Sequence, residues 1–251
     1  MLKALFLDMD ETLCDTSQAN NLAKLELAKK AQHICGRSLD GEEFAERYIQ
    51  GIYRQWTSAQ EQRYIPIIEQ QGEDAFRVLL IQDLLTHMQQ STATLKETQL
   101  LQDCFDKERL AAFDFFPGIK QFLSDMRKRM TLVVITNGPE FSQVPKVERI
   151  NLSQHVDHII IGGQEKEQKP ASSIFTKALK LAACENHEVL HIGDGLTPDI
   201  GGANASNIKS VWVRHHQSFD QTLGITPDYI IEHPEEIPKF IENHLNNLNS
   251  G

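Results

Sequence analysis

Asp8 and Asp10 stand two residues apart in the segment Asp8-Met9-Asp10-Glu11-Thr12-Leu13, directly after the apolar run Ala4-Leu5-Phe6-Leu7. A short run of this kind reads as a buried strand. Ligands of open α/β sheets bind outside the carboxyl ends of the strands. Side chains at i and i+2 of an extended chain point to one side. Two carboxylates so placed repel, and a cation is the natural means of keeping at least one of them ionised. Taken alone, an acidic strand end is most often a solvated surface feature.

Three further segments carry groups that complement the pair. Thr136-Asn137-Gly138 follows an apolar run at 132–136, Lys169-Pro170 opens a helical segment, and Gly193-Asp194-Gly195-Leu196-Thr197-Pro198-Asp199 follows an apolar run at 189–192. Each lies at or near a strand's carboxyl end. In a parallel sheet those ends share one edge, so segments far apart in sequence can converge.

The elements that must position them are legible. Apolar runs at 4–7, 132–136, 158–161, 189–192, 211–213 and 229–231 read as strands, and helical patterning lies between them at 119–129, 142–150, 174–183 and 200–205, with 234–245 closing the chain. Strand and helix alternate, which predicts a parallel sheet covered on both faces. From residue 16 to about 113 the alternation stops. Ala23, Leu27, Ala31 and Ile34 recur there at helical spacing, as do Phe76, Leu80, Leu84 and Met88, and each set forms an apolar stripe. The expected architecture is an α/β, Rossmann-like core of residues 1–15 and 116–251 with an all-helical insertion at 16–115. Phe116-Pro117-Gly118 marks the return to the core.

Composition narrows the ligand. With 25 Lys and Arg against 35 Asp and Glu, and no basic run, the chain is not expected to bind nucleic-acid polymers or an anionic membrane. An acidic protein handling an anionic small molecule needs a local positive centre, either a metal ion or a few placed Lys and Arg. The cysteines Cys14, Cys35, Cys104 and Cys184 form no C-x-x-C pair, so neither a zinc site nor a disulfide framework is signalled. The apolar start is too short for a signal peptide, and no stretch has the length of a membrane span. A cytoplasmic protein is expected.

The order D-x-D-x-T, T-N-G, K-P and G-D-x-x-x-x-D resembles the haloacid dehalogenase superfamily, and the helical insertion resembles the mobile cap that many members carry. The segment at 159–175, IIIGGQEKEQKPASSIF, is similar to the N-acylneuraminate-9-phosphatases and the related pyrimidine nucleotidases. The resemblance implies a phosphatase using a covalent aspartyl-phosphate: Asp8 as nucleophile, Asp10 as general acid and then base, Thr136 and the Asn137 amide on phosphate oxygens, and Lys169 neutralising their charge. It also implies a metal site of the Asp8 carboxylate, the Asp10 carbonyl and Asp194, with Asp199 ligating directly or through water. All are hard oxygen donors, which favours magnesium.

By the same resemblance, the dehalogenases lack an acid at position 10 and need no metal, so Asp10 favours phosphoester hydrolysis. Gly195 departs from the Ser or Thr of many members and leaves one hydrogen bond near the metal site in question. The expected substrate is a small phosphorylated metabolite, either a sugar phosphate or a nucleoside monophosphate. A catalytically silent member of the fold and a phosphotransferase are the alternatives.

Weaker features receive plainer readings. His191 lies inside a strand run and reads as a buried, hydrogen-bonded histidine; His215-His216 reads as a surface turn. Tyr53, Arg54, Trp56 and Arg63 in the insertion read as packed stems with solvated tips. Gln143 and Lys146, at helical spacing after T-N-G, read as a partly exposed helix face.

Overall fold

The computed structural model describes residues 1–89, 93–219 and 221–249. The chain divides into two compact units, one of Met1–Thr16 with Phe113–Gly251, the other of Ser17–Ala112.

The first unit is built on a six-stranded sheet of β1 (Ala4–Leu7), β2 (Thr131–Thr136), β3 (His158–Ile161), β4 (Val189–Gly193), β5 (Lys209–Val213) and β6 (Tyr229–Ile231). The spatial order is β3-β2-β1-β4-β5-β6 and every pairing is parallel. The expected α/β architecture is what the structure has. β1 is central: Leu7 pairs with Val134 on one side and Ile192 on the other. The strand order reverses at β1, and that is where open α/β sheets form their ligand crevice. All four residues of β1 are buried, which is why it reads as a continuous apolar run with no polar alternation.

One sheet face, carrying Ala4, Phe6, Val133, Ile135 and Val189, forms a core with Ile174, Phe175 and Ala178 of helix α8 (Ser172–Ala182) and Ala203 of α9 (Gly202–Ala205). Helix α6 (Ile119–Met126) packs against β2, and α10 (Ile237–Asn249) packs against α6. Helix α7 (Glu140–Arg149) follows β2 and packs against β3. The segments on either side of the insertion run together: Cys14 and Phe115 form an antiparallel bridge, and the Phe116 amide donates to the Leu13 carbonyl at 2.9 Å.

The second unit holds five helices among the described residues: α1 (Thr16–Cys35), α2 (Gly41–Ile52), α3 (Ser58–Gln71), α4 (Glu73–Gln89) and α5 (Leu95–Ala112). The two predicted stripes point into its core: Ala23, Leu27, Ala31, Phe76 and Leu80 are buried, with Ile34, Leu84 and Met88 packed at the margin. Asp40 caps α2 through the Glu43 amide, and Thr57 with Gln60 forms a capping box on α3. Such caps satisfy amides that have no partner within the helix.

Tyr48 and Phe105 meet edge to face at 5.1 Å in the centre of this core. Phe105→Ala should therefore cost about 3–5 kcal/mol of stability, read as a lower urea midpoint of the helical circular-dichroism signal. A change within experimental error would mean that α5 is not held by this contact.

Candidate active site

Each predicted site residue sits on the carboxyl edge of the sheet. Asp8 follows β1 directly, and its amide donates to the Ile192 carbonyl at 2.9 Å. The chain then turns sharply: Glu11 takes a left-handed φ of 57°, and the amides of Leu13 and Cys14 both donate to the Met9 carbonyl. Asp10 is thus carried on a tight turn, not on an extended strand. Thr136 ends β2, Asp194 follows β4, and Lys169 lies between β3 and α8.

Lys169 is at the centre. Its ammonium donates to Asp8 Oδ1 at 2.6 Å and to Asp199 Oδ1 at 2.7 Å, and its side chain is only 2% exposed. Its backbone is held by Asn137, whose Nδ2 donates to the Lys169 carbonyl at 2.8 Å while its Oδ1 accepts from the Lys169 amide at 2.9 Å. This reciprocal pair places the lysine whatever the Asn137 amide does with a ligand. Thr136 is buried beside it, its hydroxyl 3.4 Å from the Asn137 carbonyl.

Asp199 stands on a turn of π-helix (Leu196–Gly201). It also accepts from the Gly195 amide at 3.0 Å and lies 2.9 Å from His191 Nε2. The buried reading of His191 is correct, and its partner is a site residue. Two glycines allow this packing. A Cβ on Gly193 would lie 2.3 Å from Asp199 Cγ, and one on Gly195 would lie 2.4 Å from Pro198 Cγ. The missing Ser or Thr at position 195 thus follows from steric exclusion by Pro198, and a backbone amide supplies a bond to Asp199.

Asp10 belongs to a separate cluster. It accepts from Thr16 Oγ1 at 2.5 Å, from Lys146 Nζ at 2.7 and 3.0 Å, and from Gln143 Nε2 at 3.0 Å. The partly exposed face expected for Gln143 and Lys146 is wrong: they are only 5% and 4% exposed. Their spacing of three residues on a helix puts them on one face, and the Asp10 carboxylate opposite, invisible in the local sequence, turns that face inward. The weak signal was their position in the helix after T-N-G.

A model of the haloacid dehalogenase-like hydrolases matches residues 2–207. The chain belongs to this family. Rattus norvegicus N-acylneuraminate-9-phosphatase is 25% identical over 246 residues, spanning 96% of this chain and 94% of that protein. Ribulose-1,5-bisphosphate 5-phosphatase of Halopiger xanaduensis is 26% identical over 228 residues, spanning 88% and 89%. The crystal structure of the HAD-hydrolase YfnB from Bacillus subtilis, bound to magnesium, superposes with a TM-score of 0.69 at 20% identity, covering 95% of this chain and 98% of that one. This last likeness is one of fold.

Within this haloacid dehalogenase-like hydrolase, charge is unevenly balanced. Asp8, Asp194 and Asp199 each offer an oxygen, all within 4.8 Å of one another, and Lys169 pairs with Asp8 and Asp199. Burial, followed by Asp8 and Asp199, raises the Asp194 carboxyl to about 9. Burial also raises Asp8 to about 7 against the pull of Lys169. Burial would raise Asp199 too, but Lys169 and His191 hold it at about 2. Burial lowers His191, which therefore adds no charge near neutrality. Once all three acids lose their protons they outnumber the one ammonium by two charges, and an all-oxygen donor set of that kind fits a hard divalent cation.

Gly193→Ala should push Asp199 off Lys169 and lower stability by about 1–3 kcal/mol in chemical denaturation. Gly201→Ala, whose added carbon would meet Ile225 Cδ1 at 3.2 Å, serves as the tolerated comparison. Equal stability of the two variants would show that Asp199 is not confined by Gly193.

Proposed function

We propose that this hydrolase is a magnesium-dependent phosphomonoesterase of the cytoplasm, acting on a small phosphorylated metabolite through an aspartyl-phosphate on Asp8. The observation that carries the reading is the Lys169 ammonium bridging Asp8 and Asp199 beside Asp194. A carboxylate, a buried ammonium and two further acids at one sheet edge support the roles of nucleophile, fixed positive charge and cation-binding group. The phosphatase activities of the two near full-length relatives support the reaction class.

In the first half-reaction a carboxylate oxygen of Asp8 attacks phosphorus. The ester P–O bond breaks, its electron pair stays on the leaving oxygen, and Asp10 supplies the proton. In the second, Asp10 takes a proton from water, which attacks phosphorus and releases inorganic phosphate and the Asp8 carboxylate. Thr136 and the Asn137 amide bind phosphate oxygens, and Lys169 offsets their charge. Asp8, the Asp10 carbonyl and Asp194 would hold magnesium. Asp199, both of whose oxygens already accept hydrogen bonds, would support the ion through water. When bound, the ion supplies charge neutralisation between Asp8 and the phosphate dianion.

The helical unit takes the part of the family's cap. N-acylneuraminate 9-phosphate is the proposed substrate, supported by similarity to the rat enzyme across 96% of the chain. A screen of sugar phosphates and nucleoside monophosphates tests it, and preference for a nucleotide would overturn it. Asp8→Asn should abolish turnover in a folded protein, and chelation should do so reversibly. Near-normal activity of Asp8→Asn would remove the covalent route, and phosphate recovered on a second substrate would identify a transferase. A folded, magnesium-loaded sample inert on every phosphomonoester would be the silent module.

Metal binding should depend on pH in a fixed direction. Asp8 at about 7 and Asp194 at about 9 must lose protons to ligate, so magnesium affinity should rise with pH across this window and fall in acid. Calorimetry in two buffers of different ionisation enthalpy should register roughly one to two protons released per ion near neutrality. Affinity independent of pH would place the ion elsewhere.

A further inference from the structure

We propose that Gln143 and Lys146 of α7 are positioning residues that hold the Asp10 carboxylate in place relative to the Asn137 loop. The proposal rests on the acid–base role of Asp10 given above. Lys146 Nζ reaches both oxygens of Asp10, at 2.7 and 3.0 Å, with its side chain 6% exposed against 25% for Asp10. Gln143 Nε2 donates to Asp10 Oδ2 at 3.0 Å and also to the Asn137 carbonyl at 2.7 Å. One amide group thus ties the carboxylate to the loop whose other face clamps Lys169.

The packing is close. A Cβ on Gly138 would lie 2.6 Å from Gln143 Nε2, so the loop glycine lets Gln143 pass beside it. Lys146 Nζ also lies 5.3 Å from the centre of the Phe113 ring, over a face that attracts cations. With Thr16 bonded to Oδ1, three side chains from two segments determine the Asp10 rotamer. A buried lysine is tolerated only when paired, and here its partner is the residue that must aim a proton at the leaving oxygen. Proton transfer needs heavy atoms within hydrogen-bond reach, and a displacement of about 1 Å can cost on the order of 100-fold in rate.

The experiment compares kcat/KM, which reports phosphoryl transfer to Asp8, on p-nitrophenyl phosphate and on glycerol 2-phosphate, whose alkoxide leaves poorly without a proton. Wild type, Asp10→Asn, Lys146→Met, Lys146→Arg and the double variant Asp10→Asn with Lys146→Met are measured with magnesium. Lys146→Met should lose roughly 10- to 100-fold on glycerol 2-phosphate and only a few-fold on p-nitrophenyl phosphate, with Lys146→Arg recovering most of the loss. In the Asp10→Asn background, Lys146→Met should add less than about twofold, because both changes remove one function.

Equal losses on the two substrates, or a full additional loss in the Asp10→Asn background, would overturn the positioning role while leaving that of Asp10 standing. An Asp10→Asn variant with no dependence on leaving group would remove the acid role itself, and this inference with it. If Lys146→Met does not fold, Gln143→Met is read by the same substrate ratio and the same cycle.

Discussion

A single buried ammonium organises the carboxyl edge of this sheet. Lys169 lies between Asp8 and Asp199, and a charge at that depth is tolerable only with close partners. Burial works against its charge, but Asp199 and Asp8 outweigh burial and raise Lys169 above the ordinary lysine range. Much of the surrounding structure follows from this requirement. Asn137 grips the lysine backbone from β2's end, Gly193 leaves room for Asp199, and the Gly195 amide and His191 orient it. Strands β1, β2 and β4 and the approach to α8 are thereby locked to one another through polar contacts as well as through the sheet.

The two acids of the opening motif are close in sequence and each has its own lysine. Asp8 pairs with Lys169 and Asp10 with Lys146. A nucleophile and a proton carrier need different environments, because one must be ionised on attack and the other must exchange its proton. The sharp turn after β1, with Glu11 in the left-handed region, performs that separation within two residues. On the Asp8 side burial first, and then the neighbouring acids that outnumber the lysine, raise Asp8 and Asp194, and the acid group so formed suits a divalent cation.

The helical unit is held by its own aromatic core. Trp56, Tyr64 and Phe76 meet with centroids 5.2–5.5 Å apart. The side chains that could have suggested a ligand surface are engaged internally: Arg63 binds Asp83 through two nitrogens, Arg54 pairs with Glu73, and the Trp56 indole donates to the Gly51 carbonyl. Arg63 and Arg54 remain more than half exposed in their side chains, in keeping with the packed-stem reading, although both tips are paired. No helix among the described residues is long and apolar enough to cross a membrane.

The sequence by itself determined the strands, their alternation with helices, and the motifs at strand ends, because burial on both sheet faces demands continuous apolar runs and turns demand recognisable residues. Strand positions agree closely; Tyr229–Ile231 matches to the residue, and the segment expected as a helix at 200–205 begins with a turn of π-helix at Leu196–Gly201. Partnerships across the fold were decided only by the tertiary structure. Lys146 is 136 residues from Asp10, and Lys169 is 161 from Asp8. No local pattern distinguishes a lysine that faces water from one that faces a buried acid. Which acid each lysine meets depends on strand order and helix rotation, and those are set by the packing of the whole sheet.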